Sequence, residues 1–151
     1  MSATNASFAA GQFILIHQTR GTGAGNWELN KIQSYTSGTI TTTFALTNDY
    51  TSGAQVLVMK QYSSVLIDTG VTLTGKAWNG TVGGIIGWFC NDLTNIPGII
   101  TLTGLGFAGG TSSSSGQGVQ GYGHAGAGAY SKTANHNGGG GGADGGGDFA
   151  Y

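Results

Sequence analysis

Charge is the scarcest feature of this chain. Asp, Glu, Lys and Arg make up 7% of its 151 residues, where about 25% is usual for soluble domains. Five basic and six acidic side chains leave a net charge of −1, and no block of either sign exists. Without a basic face to neutralise phosphates, nucleic acid is excluded as a partner. One cysteine, Cys90, excludes both a disulfide framework and a cysteine-built zinc site. Long apolar runs are missing too. Phe13 to Ile16 and Ile85 to Cys90 fall far short of the roughly 20 residues a membrane-spanning helix needs, so no membrane insertion is expected. The first ten residues lack the positive charge and apolar stretch of a secretory signal. No window carries the i, i+3, i+4, i+7 spacing of an amphipathic helix, and helix content should be close to zero.

What is present is glycine, 31 residues of it, interleaved with short β-prone runs. Phe13 to His17 is compact and apolar. Glu28 to Ser34 is a weak strand, and Ser37-Gly38 a turn. Thr39 to Leu46 is rich in β-branched residues, and Asn48-Asp-Tyr and Ser52-Gly53 mark a connection. Ala54 to Met59 and Ser64 to Ile67 follow, then Asp68-Thr-Gly70. Runs of four to eight residues between turn signals predict an all-β domain over residues 1–103.

An internal repeat runs through the end of that domain. Thr72-Leu-Thr-Gly-Lys-Ala-Trp-Asn-Gly80 aligns without gaps to Thr101-Leu-Thr-Gly-Leu-Gly-Phe-Ala-Gly109, at an offset of 29. Thr-Leu-Thr is a strand with its leucine on one face and hydroxyls on the other. The glycine turns the chain, and the aromatic, Trp78 or Phe107, folds back as a lid. Two such copies predict solenoid-like stacking of consecutive coils; two similar hairpins of one sandwich are the other reading.

From Gly104 to Tyr151 the composition changes, and 18 of the 31 glycines fall there. Its few large apolar residues cannot offset the entropy of ordering so much glycine, so this segment has no core of its own. Either it is a flexible linker, or Gly138, Gly139, Gly140, Gly141, Gly142, Gly145, Gly146 and Gly147 form polyglycine-II-like helices. In the second case backbone groups bond between neighbouring chains, with Phe149 and Tyr151 as edge clamps.

Several segments resemble glycine-rich bacterial cell-surface and secreted proteins. They are Phe8-Ala-Ala-Gly-Gln-Phe-Ile-Leu-Ile-His-Gln-Thr-Arg-Gly-Thr-Gly-Ala-Gly25, Gly53-Ala-Gln-Val56, Gln61-Tyr-Ser-Ser-Val65, Leu73-Thr-Gly-Lys-Ala-Trp-Asn-Gly80 with Gly83-Gly84, Gly106-Phe-Ala-Gly-Gly110, and the run from Asn137 to Ala143. The resemblance covers most of the chain, and the Trp-Asn-Gly with Gly-Gly element is its most specific part. It implies a surface-anchored or secreted structural or adhesive role and carries over no catalytic residues. By composition alone the glycine tail is similar to polyglycine-rich phage adhesins.

Chemical constellations are sparse. Gly104-Leu-Gly-Phe-Ala-Gly109 has the G-x-G-x-x-G form, but Gly110-Thr-Ser-Ser-Ser-Ser-Gly116 offers no helix to face a pyrophosphate. His17 reads as a hydrogen-bonded core or edge residue, and His124 and His136 are too far apart for a local metal pair. Asp144 and Asp148 bracket three glycines as a calcium loop would, yet the nine-residue calcium-roll spacing is absent, and no cofactor is expected. Arg20 reads as a surface arginine holding a loop carbonyl. Trp88 and Cys90 read as core residues. No nucleophile–base pair or spaced acid pair is visible, so an enzyme is not expected.

These features lead to one expectation and one alternative. The expectation is a noncatalytic, extracellular or cell-surface, structural or adhesive protein that self-associates as a homo-oligomer, filament or fibre. β-edges and glycine-rich backbone would join the copies, with Trp78, Phe107 and the glycines above as packing residues. The alternative is a phage tail-fibre or adhesin tip, carried on a virion, that recognises a surface glycan.

Overall fold

A computed structural model describes residues 7–92 and 94–107 of the chain. Among these residues there is no helix and no closed barrel; all regular structure is β. The strands are β1 (Phe13–Gln18), β2 (Trp27–Thr36), β3 (Thr39–Thr42), β4 (Ala54–Tyr62), β5 (Val65–Leu66), β6 (Thr72–Thr74), β7 (Trp88–Cys90), β8 (Thr94–Asn95) and β9 (Ile99–Thr101). They form a five-stranded sheet in the order β3-β2-β1-β4-β7 and two small sheets, β5-β8 and β6-β9.

Two compact units can be distinguished. The first takes the described residues up to Leu15, then Leu29–Ala45 and Val56–Gly106. Its core is Phe8, Ile14, Ile32, Ile40 and Ile67, all buried. Burying an isoleucine of this kind contributes about 1.5–3 kcal/mol. The aromatic ring of Phe8 sits edge-on to Tyr35, and that of Phe13 edge-on to Phe89, each at 5.5 Å between centroids.

Within this unit β2 and β3 form an antiparallel hairpin from Thr36↔Thr39 to Ile32↔Thr42. Its two-residue loop, Ser37-Gly38, takes positive φ at both positions (49° and 80°), the twist-matched geometry for so short a connection. The β-prone run from Thr39 stops at Thr42 although the sequence favours continuing to Leu46. Beyond a register shift between Ile32 and Ser34, the buried Asn30 side chain takes over the ladder. Its Nδ2 donates to the Phe44 carbonyl at 3.0 Å, and its Oδ1 accepts from the Phe44 N–H at 3.2 Å.

The rest of the first unit is built from parallel pairs. β4 pairs with β7 (Lys60↔Trp88), β5 with β8 (Val65↔Thr94), and β6 with β9 (Thr72↔Ile99). The sequence repeat is therefore not in register: Thr101 lies opposite Thr74, not Thr72. The slip is two residues, which keeps every side chain on its own face. The same register carries past the strands, where the Trp78 N–H donates to the Leu105 carbonyl at 2.9 Å. Close packing favours it, because a Cβ on Gly75 would lie 2.9 Å from Leu102 Cδ2. Glycine there leaves room for Leu102 of the later segment without a side-chain shift.

The second unit takes Ile16–Glu28, Leu46–Gln55 and, among described residues, Phe107. Its buried residues are mostly polar: Ile16 is accompanied by His17, Gln18, Thr19 and Gln55. The glycines Gly138–Gly142 and Gly145–Gly147, with Phe149, Tyr151, His124, His136, Asp144 and Asp148, lie outside the described residues.

Candidate functional site

The polar interior of the second unit is the most organised set of side chains that the fold assembles. Strand β1 delivers His17 and Gln18 at its end, and Thr19 and Arg20 follow directly. The Gly21 to Gly25 loop then reverses the chain, with positive φ at Gly21, Gly23 and Gly25, so side-chain-free residues make a turn others resist. Two backbone bonds close it, Gln18 N–H to Asn26 O and Gly25 N–H to Gln18 O, both 2.8 Å.

Onto this loop the turn before β4 brings Thr51 and Gly53, and β4 itself brings Gln55. The fully buried Gln18 amide donates from Nε2 to the Arg20 carbonyl and to Thr51 Oγ1, each at 2.6 Å, and accepts from the Thr51 N–H at 2.8 Å. Gln55 Nε2 donates to Thr19 Oγ1 at 2.9 Å, and the same hydroxyl lies 2.9 Å from His17 Nδ1. The Gly53 carbonyl accepts from the Thr19 and Arg20 N–H groups, both at 3.2 Å. A Cβ on Gly53 would overlap the Arg20 carbonyl, so only glycine permits this approach.

Thr19 Oγ1 accepts from Gln55, lies beside His17 Nδ1 and donates to the His17 carbonyl at 3.5 Å, so one hydroxyl serves three groups. Burial lowers the His17 pKa from its usual value. The ring stacks on Phe107 at 5.6 Å between centroids and 12° between planes. The expected lid residue Phe107 thus covers a histidine. In the repeat it corresponds to Trp78, but Trp78 is half-buried and bonded through its backbone to Leu105.

A second clamp holds the β3–β4 connection. Glu28 Oε2 accepts from the Thr47 N–H at 3.0 Å and its hydroxyl at 3.2 Å, and Oε1 from the Asn48 N–H at 3.4 Å. Burial pushes the Glu28 pKa up, but these hydrogen bonds outweigh it and hold the carboxyl below its usual range. Tyr50 is pushed up to about 12, first by burial and then by the adjacent Glu28 carboxylate.

Chemically, both clusters position loops. The imidazole faces a threonine and a phenyl ring, and Glu28 is occupied by main-chain donors. Among the described residues no three His, Cys, Asp or Glu side chains come together to hold a metal ion. The first unit also has an open, largely apolar groove of about 580 Å³, walled by residues such as Tyr62, Leu66, Leu73 and Trp88.

Other sequence expectations come out differently. Arg20 holds a loop carbonyl through its backbone N–H; its Nε is buried and finds no partner among the described residues. Trp88 and Cys90 are half-buried, not core, because β7 lies at the margin of its sheet. The Trp-Asn-Gly element proves to be a turn. Asn79 Oδ1 accepts from the Thr81 and Val82 N–H groups at 3.0 and 2.9 Å, and a Cβ on Gly83 would overlap the Ala77 carbonyl.

Gln18, Thr19, Thr51 and Gln55 were not legible as a cluster, since polar residues in and around short strands read as solvent-facing. They come from two stretches far apart in sequence, His17-Gln-Thr-Arg20 and Thr51 to Gln55, which meet here. No protein-family model, curated protein or solved structure matches the chain.

The neutral, buried His17 predicts a pH dependence. A histidine whose pKa is lowered by folding takes up its proton more readily in the unfolded chain. Its contribution is therefore complete above about pH 6.5 and declines as pH falls through that value toward the lowered folded pKa. The slope is limited to about 1.4 kcal/mol per pH unit for one proton. Urea midpoints should fall between pH 7 and 5, and His17→Gln should flatten that part of the profile. An unchanged slope in the variant would assign the effect elsewhere.

Proposed function

We propose that the chain is a noncatalytic, extracellular or cell-surface structural or adhesive protein that self-associates. The observation that carries this reading is the set of three parallel pairings, Lys60↔Trp88, Val65↔Thr94 and Thr72↔Ile99. Near-constant spacing of 27–29 residues supports solenoid-like stacking, in which one coil of about 28 residues lies on the next. A stack of that kind leaves backbone donors and acceptors unpaired at its end. The near absence of charge removes repulsion between copies. The glycine-rich segment 104–151 contributes further backbone packing between chains.

Sedimentation velocity of the full chain over a wide concentration range tests the reading. Association that strengthens with concentration is expected; a compact monomer at every concentration would overturn it.

A further inference from the structure

We infer that the exposed edge of the second coil, formed by β7, β8 and β9, is the surface through which two copies of this chain pair. The inference rests on the self-association proposed above and names the edge that performs it. Each of these strands is the last in its sheet among the described residues, and all three stack on the same preceding segment.

Backbone polarity identifies the groups left open. The Ile99 N–H donates to Val71 O at 2.9 Å, the Asn91 N–H to Tyr62 O at 3.1 Å, and Asn95 O accepts from the Ile67 N–H at 3.0 Å. These groups face the first coil. Because extended backbone alternates its direction at each residue, the peptide groups of Trp88, Thr94 and Ile100 face away from it. Exposed apolar side chains surround them: Ile96, Ile99 and Ile100 are 40%, 58% and 36% accessible.

Protein edges of this kind are normally guarded by lysine, by inward charges or by a covering element. Here Asp92 is the one charged residue between Ala77 and Phe107, and the strands themselves carry none. The chain's own continuation is poorly suited to cover the edge. From Gly104 to Tyr151 it holds 18 of the 31 glycines. Glycine and alanine are weak strand formers with little to pack.

A second copy offers what the edge needs: the same open peptide groups, the same isoleucines and no opposing charge. Head-to-tail stacking of all three strands is blocked at β4, whose far side is already taken by β1, although β5 and β6 have one neighbour each among the described residues. The edge therefore meets its own counterpart about a two-fold axis, which closes the assembly as a dimer at this surface.

Ile100→Pro in the full chain tests the inference. It removes an N–H that faces the open edge and leaves the Ile99 N–H bond to Val71 O in place. Losing one donor on each copy should weaken the dimer about tenfold by sedimentation, while Ile100→Val should leave it unchanged. Ile99→Lys, which sets a charge on the exposed face, should weaken it similarly and decides the matter if the proline variant does not fold. If wild type associates and Ile99→Lys and any folded proline variant associate equally tightly, the edge is wrong and self-association lies elsewhere in the chain. If wild type never associates, both readings fall.

Discussion

Gly98→Ala should cost about 3 kcal/mol or more, near the upper end of what forcing an extra methyl into a packed site does. The added Cβ would lie 2.5 Å from Asp68 O, 2.6 Å from Val71 O and 2.7 Å from Ile67 Cγ2. Neither carbonyl can retreat freely. Asp68 O already accepts from the Val71 N–H at 3.0 Å, and Val71 O from the Ile99 N–H at 2.9 Å. Moving them breaks the turn from Asp68 to Val71 and the bond that ties the start of β9 to the segment before β6. Gly75→Ala is the internal comparison. Its nearest neighbour is the Leu102 Cδ2 methyl at 2.9 Å, the far end of a side chain that can rotate, so the expected cost is about 1 kcal/mol. Urea denaturation followed by far-UV circular dichroism measures both. Equal midpoints for the two variants would show that Gly98 is not held as closely against Asp68 and Val71 as described.

Gln18→Ala should be comparably damaging, at about 3 kcal/mol. The residue is fully buried, and its amide serves the Arg20 carbonyl, the Thr51 hydroxyl and the Thr51 N–H. Truncation leaves these groups without their partner and opens a cavity besides, and both terms oppose folding. Gln18→Glu separates shape from chemistry. The glutamate fits the same space, but one carboxylate oxygen would then face the Arg20 carbonyl, acceptor against acceptor, in a buried site. At neutral pH it should be at least as unstable as the alanine variant, and it should recover partly on acidification as the carboxyl takes a proton. Equal stability of Gln18→Glu and wild type at pH 7 would mean that the amide donors contribute nothing.

The sequence made the strands legible where residue type and turn chemistry agreed. Phe13 to His17 became β1 almost unchanged, and the Ser37-Gly38 turn became a two-residue hairpin loop in which Gly38 takes positive φ without strain and Ser37 follows. The run from Thr39 misled because β-propensity continues to Leu46, while a side chain 14 residues away, Asn30, ends the ladder. Glu28 to Ser34 looked weak yet belongs to β2, the longest strand. Its alternate residues Asn30 and Ile32 are buried, and pairing on both sides, not propensity, stabilises it.

The repeat misled about local structure: Thr72-Leu-Thr74 is the whole of β6, whereas of Thr101-Leu-Thr103 only Thr101 lies in β9. Thr-Leu-Thr-Gly matches itself at 29 residues, while the strands pair at 27. The shared residues take different conformations, since Gly104 has a φ of 71° and Gly75 has no positive φ, and pairing follows what fits between strands, such as Leu102 beside Gly75. The polar cluster around Gln18 was missed for a related reason. Each member is an ordinary surface residue by type, and only a loop with three glycines at positive φ brings them inside.

Amide hydrogen exchange on the full chain, dilute and concentrated, addresses the edge most directly, because neighbouring residues of β9 serve as each other's control. The Ile99 N–H, bonded to Val71 O within the chain, should exchange slowly at both concentrations. The Ile100 N–H and, on β8, the Thr94 N–H should exchange quickly when dilute and slow markedly when concentrated. Ile100 and Thr94 exchanging at the same fast rate throughout, while the protein associates, would contradict pairing through the second coil.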